Sequence, residues 1–244
     1  MSDPIDRLPT LLLALKDDHV SVVWNSAREL AKLGAKAESA LPGLSETLRS
    51  RDATSALWAR FAIAIITGEA AKHLPVFIES LNDKRVFPGM ASAALAGLGA
   101  AALPAVPELI PQLQDEKADN RWGAAWAIAN IAKETAGGKA ISALQEAVLP
   151  LAEVLRKDAD EKARWYAAYA LSEIGPYAVD ALPALTAALE DFDEDVRGYA
   201  ARALGRIGPM AIAALPRLTS LRDDDTENEN VQREAEAAVI AIWS

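Results

Sequence analysis

The stretch ALPALTAALEDFDEDVRGYAARALGRIG, residues 181–208, reads as one complete helical hairpin. Pro183 suits a first helical turn, where the N–H it lacks would have no partner anyway. Leu182, Leu185 and Leu189 then recur at helical spacing. FDED (192–195) is polar and offers N-cap side chains for a second helix. In that helix Val196, Ala200, Ala203, Leu204 and Ile207 make the apolar face, and Gly208 suits the position that closes a helix with a left-handed backbone. A hairpin of this size cannot bury its own apolar face, so it must stack on others of its kind.

The others are present. A Leu/Val-Pro pair stands at Leu8-Pro9, Leu41-Pro42, Leu74-Pro75, Val106-Pro107, Leu149-Pro150, Leu182-Pro183 and Leu215-Pro216, with prolines spaced by 33, 33, 32, 43, 33 and 33 residues. A closing glycine runs in parallel at Gly34, Gly68, Gly99, Gly175 and Gly208, preceding the next Leu/Val by 7, 6, 7, 7 and 7 residues. A fixed period of this length marks a solenoid. Units near 5–34, 40–68, 73–99, 105–132, 148–175, 181–208 and 214–243 are expected to form a single domain over 1–244.

Composition removes several function classes. The 244 residues carry 35 acidic and 25 basic side chains, a net charge of −10. That disfavours nucleic acid as a partner, since its affinity comes largely from Lys and Arg on phosphate. The absence of cysteine excludes a disulfide framework, a thiolate zinc site and a cysteine nucleophile. The two histidines, His19 and His73, are a poor start for a metal site or a catalytic triad. No P-loop, dinucleotide fingerprint, H-E-x-x-H or EF-hand loop occurs. The uncharged run Val86 to Pro107 is long enough to cross a bilayer, but it holds Pro88, Pro104 and Pro107, and its commonest residue is alanine. It reads as a buried segment rather than a membrane span. MSDPIDRLPT at the start lacks the basic patch and apolar run of a signal peptide, so a cytoplasmic location is expected.

The units resemble short HEAT-like repeats of the phycobilisome-lyase type, whose second helix reads V-R-x-x-A-A-x-A-L-x-x-I-G. The resemblance implies an all-α fold, a right-handed α-solenoid (superhelix) of about seven stacked hairpins, HEAT/armadillo-like. The 43-residue step places ten extra residues in KETAGGKAISALQEAV (133–148). The surrounding segment 121–155 is similar to an armadillo repeat, which implies a third, short helix. In peptide-binding armadillo proteins a Trp and an Asn four residues later line the groove; here the matching positions are Trp126 and Asn130.

Aligning the second helices on their closing glycine puts Trp24, Trp122 and Trp165 in one column, with Trp58 in it or one residue away. The next column holds Asn25, Gly123, Tyr166 and Tyr199. Four residues after the Trp column come Arg28, Trp126, Tyr169 and Arg202, and four further on Lys32, Asn130, Glu173 and Arg206. Unit three is bare there, with Gly89, Ala93 and Gly97; that predicts either a pit for a bulky group or tight curvature. In the resembled family this face lines the concavity. Exposed aromatic area of this size normally marks a binding site. The competing expectation is that the rings pack between repeats as core. Trp243 is expected in the core of the last unit. Arg121, Arg164 and Arg197 are expected to be structural, pairing with loop acids such as Asp119, Asp160 and Asp195 in their own or adjoining units.

The function expected from these residues is a non-enzymatic protein-interaction scaffold, holding a peptide or partner protein along the aromatic groove without a cofactor. The alternative is a bilin- or tetrapyrrole-binding, lyase-like chromophore chaperone, which the resemblance to phycobilisome-lyase-type repeats implies.

Overall fold

The computed structural model describes residues 4–135 and 141–244. Among these residues there are α-helices and 3-10 turns and no strand. The hairpins run in order: α1 (Leu8–Ala14) with α2 (Val20–Lys32), α3 (Leu41–Thr47) with α4 (Ala53–Thr67), α5 (Ala70–Ser80) with α6 (Met90–Gly97), α7 (Val106–Leu109) with α8 (Ala118–Glu134). After the short α9 (Ile141–Glu146) come α10 (Val148–Lys157) with α11 (Glu161–Ile174), α12 (Leu182–Ala188) with α13 (Glu194–Ile207), and α14 (Leu215–Arg222) with α15 (Glu229–Trp243). The fold is an all-α solenoid. The extra residues of the long step supply α9; residues 136–140 of that step lie outside the described residues.

The Pro–Gly frame has a local cause. Gly175 and Gly208 sit at φ 63° and 77°, a region costly for any residue with a Cβ. A 3-10 turn follows, and the next helix begins on the Leu of the Leu-Pro pair, so that proline falls in the first turn of α12 and α14. Unit three departs from this. Its glycine-to-leucine spacing is one residue short, α5 starts directly at Ala70, and Pro75 lies inside the helix.

The second helices α2, α4, α6, α8, α11, α13 and α15 pack side by side in chain order. Alanine makes this close approach feasible: Ala124, Ala127, Ala167, Ala170, Ala200 and Ala203 are all fully buried. Leu171 and Leu204 fill the space between layers. The α4–α6 junction is the thinnest, because α6 lacks the first turn of its counterparts and the loop before it replaces that turn.

A ladder of ion pairs ties the later units together. Arg121 forks onto Asp158 at 2.6 and 2.8 Å, Arg164 onto Asp191 at 2.8 and 2.9 Å, and Arg197 onto Glu227 at 2.8 and 2.6 Å. Each arginine also donates to a carbonyl of its own interhelical loop. The expectation of loop acids holds in kind, but the partners differ. They belong to the following unit's loop, while Asp160 caps α11 by accepting from the Ala163 N–H and Asp119 accepts from the Trp122 indole. Trp243 is a second correction. It is 71% exposed, with Ile240 at 61%, because no described helix stacks on the outer side of α15.

The ladder makes stability pH-dependent. Burial is the largest single influence on the Asp158 and Asp191 carboxyls and pushes both up, but the guanidinium hydrogen bond, a backbone N–H and the nearby arginine charges together hold each below the usual aspartate range. Arg197 holds Glu227 down in the same way. A carboxyl depressed by folding stabilises the native state above its unfolded pKa of about 4 and loses that contribution as pH falls through the folded value. The urea midpoint should therefore stay level from about pH 7 to 5 and drop below about pH 4. An unchanged midpoint at roughly pH 2.5 would remove these pairs from the stabilising interactions.

Candidate functional site

Counting from the N-cap of each second helix identifies the surface. Arg28, Phe61, Trp126, Tyr169 and Arg202 each stand nine residues after the cap, at His19, Asp52, Lys117, Asp160 and Asp193 respectively. Lys32, Ile65, Asn130, Glu173 and Arg206 stand one helical turn further on. Nine and thirteen residues differ by about one turn, so both sets lie on one side of the layer.

Two clefts open on that side. The first, about 370 Å³, lies across α2, α4, α6 and α8 and is bordered by Arg28, Trp58, Phe61, Trp126 and Asn130. The second, about 660 Å³, lies across α8, α11 and α13 and is bordered by Tyr169, Glu173, Tyr199, Arg202 and Arg206. A further depression of about 360 Å³ beside the loop 82–88 holds none of these residues.

Between the clefts the aromatics form one connected chain. Tyr166 stacks on Trp165 at 4.5 Å between ring centroids and on Trp122 at 5.8 Å, and Trp126 lies 6.4 Å from it. Tyr199 meets Trp165 at 6.3 Å and Tyr169 at 5.1 Å. All six rings are half-buried. Trp122, Trp165 and Tyr166 border neither cleft; they fill the space between neighbouring second helices with part of each ring still open to solvent. Trp24 is half-buried against the core of unit one, and the exposed Asn25 donates to the Ser21 carbonyl of its own helix; both lie outside the clefts.

Trp58 departs from the expected exposure. It is only 3% exposed. Phe61 meets it edge-on at 5.3 Å, and the Arg28 guanidinium covers its ring at 5.0 Å, an attractive cation–π contact. Its register was ambiguous because Asp52 to Gly68 spans one residue more than Asp193 to Gly208, so cap and glycine alignments disagree. Phe61 was missed for the same reason: only cap alignment places it with Trp126 and Tyr169. The bare stripe of unit three opens on the first cleft at Ala93 and Gly97, while Phe61 packs on Gly97 from one side and Gly89 is closed off by the next helix. A Cβ at Gly97 would lie 2.6 Å from the Phe61 ring, and one at Gly89 would lie 2.8 Å from the Asp119 carbonyl.

The polar groups differ in availability. Glu173 is nearly buried, taking a hydrogen bond from Arg206 at 2.9 Å and facing Arg202 at 3.7 Å. Asn130 donates to the Trp126 carbonyl at 2.8 Å, which leaves its amide oxygen open. Burial raises the pKa of Tyr166, Tyr169 and Tyr199, with neighbouring Glu173 adding at Tyr169, so these hydroxyls stay neutral donors near neutral pH. Among the described residues no cluster of three or more His, Asp or Glu is placed to hold a metal ion. No described helix is long and apolar enough to cross a membrane.

Known proteins resemble this chain mainly in architecture. Residues 148–240 match the HEAT repeat family and residues 118–174 match a HEAT-like repeat. No curated protein matches the chain. One engineered protein is similar with a TM-score of 0.65 and 26% identity, over 97% of this chain and 68% of its own. Another reaches 0.60 at 26% identity, covering 99% of both chains. A designed armadillo repeat protein solved in complex with the peptide (KR)4 reaches 0.58 at 23% identity, over 96% of this chain and 99% of its own; at that identity it speaks for the fold. The repeating Pro–Gly frame and the stacked hairpins agree with both sequence matches, which together span residues 118–240: the chain is a HEAT-like repeat protein with an armadillo-like fold.

Proposed function

We propose that this protein is a non-enzymatic scaffold that holds an extended peptide segment of a partner protein along the layer of second helices. One observation carries the reading. Residues at two fixed register positions in successive helices border two clefts, with half-open aromatic rings running between them. Tyr and Trp are the side chains favoured as interface anchors, because they add area at little entropic cost. The structural similarity to a designed armadillo protein that binds a peptide supports the same mode. The tetrapyrrole alternative calls for a pocket closed around one ring system, whereas these rings extend along several helices. Biliverdin added to the protein should leave its visible spectrum unchanged; a shifted band would favour the chromophore reading.

The test is a selection of random peptides on the intact protein, followed by affinity measurement on Trp126→Ala/Tyr169→Ala/Tyr199→Ala. Loss of these three anchors should weaken selected peptides about 100-fold or more. Unchanged affinity in a variant that melts normally would place binding elsewhere.

A further inference from the structure

The side chains bordering the two clefts run against the charge of the chain. The chain as a whole carries −10. The first cleft is bordered by Arg28 and Lys32 against Glu134, and the second by Lys133, Arg202 and Arg206 against Glu173, five cations to two carboxylates. Of these, Glu173 is already engaged by Arg206 and Lys32 by Glu29 at 2.5 Å.

Arg28 and Arg202 differ from the ladder arginines. Neither donates a hydrogen bond to any described residue. Among the described residues Arg28 has only the Trp58 ring beneath it, and the single ionic contact of Arg202 is the 3.7 Å approach to Glu173, beyond hydrogen-bond length. Both are half-buried and so partly stripped of water. They occupy the same register position at opposite ends of the row, with Phe61, Trp126 and Tyr169 between them at that position. A guanidinium fork held against aromatic or apolar surface suits bidentate recognition of a carboxylate.

We infer that the segment held here is acidic at both ends and apolar in the middle, with one carboxylate seated on Arg28 and another on Arg202. This rests on the peptide-groove reading and sharpens it. Five helix-to-helix steps of about 9 Å separate α2 from α13, or roughly 45 Å. An extended chain rising about 3.4 Å per residue covers that in about 13 residues. The occupant is thus opposite in charge to the (KR)4 peptide of the designed armadillo protein. A polynucleotide would also meet these cations, but the surrounding charge repels a polyanion over its whole length, whereas a short peptide needs only two contacts.

Three labelled peptides of about 13 residues test this, each with the same alternating Leu/Ser centre and with end pairs of Glu, Gln or Lys. Anisotropy is read at roughly 50 and 300 mM salt. Affinity should fall in the order Glu, Gln, Lys, with at least about tenfold between the extremes at low salt and less at high salt. Arg28→Gln/Arg202→Gln should erase the order, the Glu peptide losing its advantage over the Gln peptide, in a variant whose helical circular dichroism stays native. If the Lys peptide binds as well as the Glu peptide, or the order survives in the double variant, the acidic assignment falls and the groove reading stands. Binding of none of the three at millimolar concentration overturns both. A thymidylate oligomer of similar length that displaces the Glu peptide at lower concentration assigns the cations to nucleic acid and also overturns the inference.

Discussion

Gly205→Leu is expected to destabilise the protein by about 2 kcal/mol, read as a lowered urea midpoint. Gly205 lies on α13 where α15 crosses it, and a Cβ there would sit 2.8 Å from the Ala238 Cα and 3.1 Å from its Cβ. The obstacle is backbone, so no rotamer change relieves it; the two helices must move apart. Two effects compete. Leaving glycine for a good helix former gains about 0.8 kcal/mol, and overpacking a tight contact costs about 1–3 kcal/mol, toward the upper end for a side chain of four carbons. Gly198 on the same helix separates the terms. A Cβ there would lie 3.8 Å from the Val231 Cγ2, ordinary contact, so Gly198→Ala should be neutral or stabilise by up to about 1 kcal/mol. Each hairpin of a solenoid contacts only its neighbours, so hydrogen exchange in α14 and α15 should rise first in Gly205→Leu. Equal midpoints for Gly205→Leu and the unsubstituted chain would show that the α13–α15 contact yields easily.

Such contacts explain what the sequence could and could not reveal. The Leu-Pro and Gly punctuation encodes φ angles and helix starts directly, so the hairpin array was readable from spacing alone. The register of the aromatic columns was readable wherever cap and glycine agree, as in units one, five and six. It failed in unit two, where one extra helical residue shifts Trp58 and Phe61 relative to the closing glycine. Burial was harder to read than register. Trp58 and Tyr166 share the position six residues after the cap, yet Trp58 is covered by Arg28 and Phe61 while Tyr166 is half-open. What covers a ring comes from the neighbouring helix, which repeat spacing does not specify. The ladder shows the same limit. An Arg four residues past the cap marks Arg121, Arg164 and Arg197, but the choice of the next unit's loop acid depends on how the hairpins stack.

That ladder divides the array energetically. Val23 and Ala56 hold the arginine position in units one and two, so those units stack without the forked pairs. Asp191→Ala is therefore expected to cost about 3 kcal/mol, far more than the same change at a surface pair. The substitution strands the Arg164 guanidinium, whose side chain is 16% exposed, by removing two of its three hydrogen bonds. It also leaves the Asp193 N–H without the carboxylate that accepts from it at 2.9 Å. Removing one member of a buried pair costs about 3–5 kcal/mol, and partial access of water to Arg164 argues for the lower end. Glu153→Ala breaks the Lys157 pair, whose side chains are 52% and 56% exposed, and should leave the urea midpoint nearly where it was. The two variants differ in pH response as well. Arg164 holds the Asp191 carboxyl below the usual range, so the native state gains from its ionised form above about pH 4 and loses that gain in acid. The gap between Asp191→Ala and the unsubstituted protein should be full at neutral pH and shrink toward roughly pH 2.5. A gap of constant size across that range would trace the loss to packing and the loop turn rather than to the charge that joins one hairpin to the next.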